Sequence, residues 1–336
     1  MAYTTIDNPE LYFQVKIYTG NGADDHAITF DGSEDMQPDL LWFKGRAAPS
    51  SGSSAHRLID SVRGITNLLA SNSSDAEFQE TGDGISSIDS DGFTLQINSQ
   101  NDYNTSSKTY VAWCWKESAT AGFDINLHTG NGSARTISHS LSAKPDFFVV
   151  KGRTFAEQWE CYHKSLGATK CLQWDDNSAE ADLLNRFNDT EPTSSVFTVG
   201  DADAVNKNTY TYVTYLWSGK QGFSKFGKYT GNGNADGTFV YTGFRPAWVM
   251  VKITSGTDNW NIVDNKRATY NEAENTMRAN LTNAEYTGTA YGIDILSNGF
   301  KCRTDDGNFN GSSTYVYMAF AEAPFVNSKG VPANAR

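Results

Sequence analysis

No apolar stretch among the 336 residues approaches the 18 or so needed for a membrane-crossing helix, so insertion into a membrane by helices is not expected. Histidine is scarce, at five residues. The four cysteines, Cys114, Cys161, Cys171 and Cys302, form no C-x-x-C pair and join no histidine cluster, which excludes the usual zinc sites. Cys161 and Cys171 could bridge on adjacent strands, but free buried thiols made in a reducing compartment fit the spacings better. Basic residues number 27 against 39 acidic ones. The resulting net charge of −12 repels phosphate backbones, so nucleic acid is not an expected partner. The opening MAYTTIDNPELYFQ has neither the basic nor the apolar stretch of a secretory leader.

Aromatic residues, at 13%, and 29 glycines are what the chain does have, with Asn, Ser and Thr between short apolar runs. That mix suits β-sheets joined by polar turns. The chain also repeats itself. TGNG occurs at Thr19–Gly22, Thr129–Gly132 and Thr230–Gly233. Each copy is followed by a proline and, six residues on, a lysine: Pro38 and Lys44, Pro145 and Lys151, Pro246 and Lys252. A phenylalanine then opens a strand-like run at Phe93, Phe197 and Phe300. An aromatic strand closes each copy: TYVAWCW from Thr109, TYVTYLW from Thr211 and TYVYMAF from Thr314. These landmarks delimit three repeats, 15–117, 122–219 and 223–324, flanked by arms 1–14 and 325–336. Units of about 100 residues with several short strands read as antiparallel β-sandwiches, jelly-roll or concanavalin-like in topology. The expected fold is therefore all-β, with three tandem sandwiches. Only His56–Ser71 and Tyr270–Glu285 have room for a short helix. Each of the three prolines is expected at the start of its strand. The arms, which carry apolar side chains, are expected to run extended and to pack on a repeat or on another subunit.

A phosphate loop would need a helix after its glycines, and none is indicated here. TGNG reads instead as a tight hairpin turn, built by Gly20, Asn21 and Gly22, by Gly130, Asn131 and Gly132, and by Gly231, Asn232 and Gly233. The loop before each closing strand is rich in Asx: Asn98–Asn104, Asp201–Asn208 and Asp305–Asn310. Two readings of these loops compete. Asx side chains cap turns on their own backbone. Closely spaced carboxylate and amide oxygens also suit a hard cation such as Ca²⁺, for which Asp201, Asp203, Asn206, Asp305, Asp306 and Asn308 are the candidates, or a glycan. Asp60 with Arg63, and Asp264 with Arg267, are spaced for a structural ion pair. Lys44, Lys151 and Lys252 close buried strands and are expected to snorkel to water. Most tryptophans lie in apolar strands, whereas Trp174, in the polar LQWDDNSAE, is the candidate for an exposed sugar-stacking ring. No Ser-His-Asp order or exposed carboxylate pair recurs, so catalytic residues are not expected.

The TGNG-to-lysine signature, the DNPELYFQ start and the tail YMAFAEAPFVNSKGVPANAR resemble a group of repeat proteins of marine tailed bacteriophages. The resemblance spans essentially the whole chain. It implies a virion or virion-associated protein, made in the host cytoplasm, with concanavalin-type sandwiches and no catalytic residue to carry over; apart from the Ca²⁺ reading of the Asx loops, no cofactor is expected. Three function classes follow. One is a structural protein of the particle exterior, in a capsid decoration, tail or fibre, with major capsid or tail proteins as partners. A second is a receptor-binding module that grips host surface glycans multivalently. A third is a polysaccharide depolymerase, which recurring carboxylate pairs would have favoured.

Overall fold

The computed structural model describes residues 3–47, 55–97 and 103–334. Strand formation follows the side-chain alternation of the apolar runs. In Thr109–Trp115, Tyr110, Ala112 and Cys114 enter one core with Tyr18, Phe43 and Phe93. The intervening Val111, Trp113 and Trp115 enter a second core. A strand apolar on both faces is thus buried on both, each face against a different partner.

The first segment contains β1 (Phe13–Thr19), β2 (His26–Thr29), β3 (Leu40–Gly45), β4 (Arg57–Asp60), β5 (Asn67–Leu68), β6 (Phe78–Gln79), β7 (Ile85–Asp89), β8 (Gly92–Leu95) and β9 (Thr109–Trp115). The second contains β10 (Phe123–Thr129), β11 (Arg135–Ser138), β12 (Phe147–Gly152), β13 (Glu160–His163), β14 (Lys170–Gln173), β15 (Ala181–Asp182), β16 (Val196–Val199) and β17 (Thr211–Trp217). In the third lie β18 (Ser224–Thr230), β19 (Phe239–Tyr241), β20 (Phe244–Ile253), β21 (Asn261–Asp264), β22 (Asn275–Arg278), β23 (Tyr286–Thr287), β24 (Ile293–Leu296), β25 (Gly299–Cys302) and β26 (Thr314–Pro324). The fold is all-β and antiparallel, and one strand order recurs. The main sheets run β1-β9-β3-β4, β10-β17-β12-β13-β14-β15 and β18-β26-β20-β21-β22-β23. Smaller sheets face them: β2-β8-β7, β11-β16 and β19-β25-β24.

Several expectations are corrected. The two stretches proposed as helical form β4, β5 and β22 with turns between them. Gly64, at φ +92°, turns the first of these, and pairing with neighbouring strands overrides helix propensity there. TGNG is not a hairpin turn. β1 pairs with β9 whereas β2 pairs with β8, so the turn carries the chain from one sheet to the other. Pro38 and Pro145 stand just before β3 and β12, but Pro246 is the third residue of β20. It sits at a register shift against β26, and pairing with β21 begins only at Trp248. Its missing N–H therefore falls in a bulge with a neighbour on one side.

The second face of each main sheet turns toward a core that all three segments share. Trp115, Trp217 and Phe320 occupy the same place in β9, β17 and β26. Trp115 lies 6.2 Å from Trp217 and 5.5 Å from Phe320 between ring centroids. Phe147 stacks on Phe226 at 6.3 Å, and Trp42 meets Trp248 at 6.4 Å. The indole N–H groups of Trp115, Trp217 and Trp248 find no acceptor among the described residues, so ring packing holds this hub. The described parts of both arms reach the third segment, though the first arm is not extended throughout, since Pro9–Leu11 makes a 3-10 turn. Tyr3 donates its hydroxyl to the Gly243 carbonyl, Thr4 to that of Gln221, and Ile6 is buried. The C-terminal residues turn back through Asn327–Val331, and the Ser328 N–H meets Asp7 at 2.7 Å.

Candidate functional site

The three TGNG turns are each clamped by one buried asparagine from the Asx-rich loop. Asn104, Asn206 and Asn310 are at most 1% exposed. Their side-chain oxygens accept the N–H groups of Asn21, Asn131 and Asn232 at 3.2, 3.0 and 3.1 Å. Their amides donate to carbonyls on both sides: Ala23 and Gln96, Ser133 and Gly200, Asn234 and Thr304. The first glycine of the motif is needed because a Cβ at Gly20, Gly130 or Gly231 would stand 2.4, 2.1 or 2.1 Å from a carbonyl oxygen of that loop. The second, at Gly22, Gly132 and Gly233, has φ of +68, +72 and +64°. Of the residues proposed for a cation, Asn206 is this clamp. Asp201 and Asp203 are exposed, and Asp203 pairs with Lys207 at 2.9 Å. Asp305 is exposed, while Asp306 accepts the Asn308 N–H and amide, at 2.8 and 2.7 Å. Asn308 in turn accepts from Asn261. Among the described residues no three His, Cys, Asp or Glu side chains are grouped to hold a metal. In the first loop, residues 98–102 lie outside the described residues.

A second set of polar groups joins the segments round a closed circle. The Glu77 N–H of the first segment donates to the Arg153 carbonyl of the second, at 2.7 Å. Glu180 of the second donates to Thr254 of the third at 2.8 Å, and Glu285 of the third returns to Arg46 of the first at 2.9 Å. The residue just preceding β13, β21 or β4 closes the circle again through its ring N–H, donating in the opposite sense. Trp159 donates to the Ala70 carbonyl at 3.1 Å, Trp260 to that of Gln173 at 2.8 Å, and His56 Nε2 to that of Arg278 at 3.0 Å. Lys151 and Lys252 reach back the same way, to the Ser74 and Asn177 carbonyls at 2.9 and 3.2 Å. These lysines do not snorkel: Lys44, Lys151 and Lys252 are fully buried. Burial holds the Lys151 and Lys252 ammonium groups down to about 8, against the pull of nearby carboxylates.

Two buried ion pairs sit on the same circle. Asp60 and Arg63 are wholly buried and paired, and Arg63 also reaches Glu77 and the Leu58 carbonyl at 2.8 and 3.0 Å. Arg153 of the second segment completes the cage at 2.8 Å from Glu77. Asp264 and Arg267 repeat the arrangement, with Glu285 and, at 2.8 Å, Arg46 of the first segment. Burial alone would lift the Glu285 carboxyl; hydrogen bonds from Arg46 and Asn275 and the Arg267 charge hold it below the usual carboxylate range. Each aspartate also receives a donor from another segment, Tyr215 Oη on Asp60 at 2.7 Å and Trp113 Nε1 on Asp264 at 2.9 Å. The matching place in the second segment is His163, whose Nε2 donates to the Tyr317 carbonyl at 3.2 Å. The Ser165 N–H occupies its Nδ1, which fixes the neutral Nε2–H tautomer. His56 is fixed in the same tautomer, with Trp42 Nε1 donating to its Nδ1 at 2.8 Å.

Sequence spacing marked the Asp–Arg pairs, but the partners Glu77, Glu285 and Tyr215 were missed. The nearly constant intervals separating Glu77, Glu180 and Glu285 were the available signal. Trp174, expected to be exposed, is buried. It packs on Trp42 of the first segment at 5.0 Å and on Trp159 at 5.8 Å, because its polar neighbours form the loop between segments.

The family model of a domain of unknown function, DUF7483, matches residues 8–324. The chain belongs to this family. The matched DUF7483 region contains all three segments and every contact of the circle described above. No curated protein matches the chain.

Proposed function

We propose that this DUF7483 chain is a non-enzymatic structural protein of a bacteriophage virion, carried on the particle exterior as a capsid decoration or a tail or fibre component. With it goes a finer reading of the fold: three tandem sandwich repeats of jelly-roll or concanavalin type, arranged about a pseudo-threefold axis within one chain. The observation that carries this reading is the cyclic set of hydrogen bonds from Glu77, Glu180 and Glu285, which joins third segment to first as it joins first to second. Three similar faces in a closed ring let one chain occupy a threefold or quasi-threefold position that three copies would otherwise fill. The buried titratable groups support a scaffold role, since Asp60, Asp264, His56 and His163 are all engaged in joining segments. Its partners would be other virion proteins, and synthesis in the host cytoplasm agrees with four free, buried cysteines. Electron cryo-microscopy of purified particles of the encoding phage tests the proposal. Density for the ring on the capsid or tail surface is the expected result. Particles that lack the chain while infected cells contain it in free form would overturn the reading.

A further inference from the structure

Where the second segment hands over to the third, a groove of about 310 Å³ opens, lined by Tyr3, Asp146, Lys164, Lys220, Lys225 and Tyr241 among others. Its wall sets three ammonium groups against one carboxylate, in a chain whose net charge is −12. The carboxylate is already engaged, for Asp146 accepts the Gly219 N–H at 2.7 Å and pairs with Lys164 at 3.1 Å. Lys225 donates to the Tyr241 carbonyl at 2.7 Å and lies 5.0 Å from the centre of the Tyr241 ring. Burial pulls the Lys220 and Lys225 ammonium groups down, and for Lys225 the Lys164 charge adds to it. Tyr241 is 47% exposed, and its hydroxyl meets that of Tyr3 at 3.3 Å.

The handover from first to second segment is an internal control. There the Glu117 N–H donates to Asp39 at 2.7 Å, as Gly219 does to Asp146. Asp124 pairs with Leu216 in the register that Lys225 keeps with Ala319. Place for place, Asp39 matches Asp146, and where the second junction carries Lys164, Lys220 and Lys225 the first carries Ser61, Ser118 and Asp124. Packing does not demand the positive charge, so the lysines are a property of that groove alone.

We propose that this groove binds a short acidic saccharide, its carboxylate held between Lys220 and Lys225 and a sugar ring laid on Tyr241. An ammonium pair supplies the charge complement and an exposed phenol supplies the flat apolar face that a pyranose ring needs. The volume is at the lower end of small-ligand sites, which suits two or three sugar units. The chain's overall negative charge opposes long polyanions and leaves short ones admissible. This inference is independent of where the chain sits on a particle, and its failure would leave that reading standing.

The test is calorimetric titration of the full chain with trigalacturonate, neutral galactotriose and inorganic phosphate. Trigalacturonate should bind, weakening as salt rises, with galactotriose and phosphate each at least tenfold weaker. The double variant Lys220→Ala/Lys225→Ala should lose at least tenfold in affinity. Tyr241→Ala should lose severalfold for the saccharide only, and Lys207→Ala, beyond the opposite end of β17 and paired with Asp203, should change nothing. Thermal melts of the variants establish that each is folded. Equal binding of galactotriose, undiminished affinity in the double variant, or no binding of trigalacturonate would overturn the site. Phosphate binding as tightly as the saccharide would reduce it to a plain anion seat and overturn the saccharide assignment.

Discussion

The phenol of Tyr215 donates a hydrogen bond to the Asp60 carboxylate at 2.7 Å, across 155 residues of chain. The same carboxylate pairs with a wholly buried Arg63, so one aspartate neutralises a cation of its own segment and docks a strand of the next. Asp60→Ala would leave Arg63 buried without its nearest counter-charge, at a cost of about 3–5 kcal/mol. Tyr215→Phe removes only one neutral donor and should cost about 1 kcal/mol. Urea unfolding of both variants and of the double variant measures these values. If Asp60→Ala unfolds within 1 kcal/mol of the parent, the pair is not a joint between segments.

The asparagine clamp separates the two glycines of TGNG. At Gly130 a methyl group would meet the Lys207 carbonyl at 2.1 Å, whereas at Gly132 it would meet Asn208 Cβ at an ordinary 3.5 Å and only the φ of +72° is unfavourable. Gly130→Ala must therefore move backbone and should destabilise more than Gly132→Ala, whose cost is about 1 kcal/mol. Asn206→Ala strands several buried partners and should cost about 3 kcal/mol, at 1–3 kcal/mol for each unsatisfied group. Melting temperatures of the three variants give the order directly, and a reversed order for the glycines would remove the close-approach argument.

Acid should loosen the segment contacts through histidine. Burial lowers His163 to about 4, and His56 falls well below its ordinary value; His128, bonded within the second segment, is also lowered to about 4. A depressed histidine favours the neutral form in the folded state, so its stability is complete above about pH 6.5 and declines as pH falls toward 4. Glu117, raised by burial to about 7, and Asp175, raised by burial to about 6, act in the opposite sense over part of that range. A difference measurement isolates one histidine. The stability gap between the parent and His163→Gln should shrink by about 3 kcal/mol between pH 7 and pH 4, at 1.36 kcal/mol per unit. A gap independent of pH would show that His163 titrates normally.

Ring closure predicts an unusual tolerance and an unusual intolerance. The Asp7 side chain already bonds the Ser328 N–H, so the ends can be joined by a short linker. A circular permutant opened at the Thr120 turn, between the first two segments, should fold with little loss of stability. The second segment alone, residues 118–220, would expose Trp174, Trp217 and Phe147 and should aggregate or remain unfolded. Circular dichroism and sedimentation of both proteins test this. A soluble, cooperatively folded single segment would contradict the shared hub.

Much was written locally. Alternation along Thr109–Trp115 and its two counterparts specified strands buried on both faces, and the interval of three between Asp60 and Arg63 specified an ion pair. The glycines of TGNG marked turns, since no other residue tolerates their approach or φ angle. What covers the second face of each sheet was not local. Trp174 looked exposed because its sequence neighbours are polar, yet its contact surface comes from Trp42 of another segment. Lys151 looked like a snorkelling end because its acceptor, the Ser74 carbonyl, lies 77 residues away. TGNG looked like a hairpin because adjacency in sequence says nothing of which sheet the next strand joins. The sequence by itself determined strand, turn and repeat spacing, through short-range sterics and side-chain periodicity. Only the tertiary structure decided that the third segment closes on the first, because burial and hydrogen-bond satisfaction across the ring depend on surfaces that meet after the chain has folded.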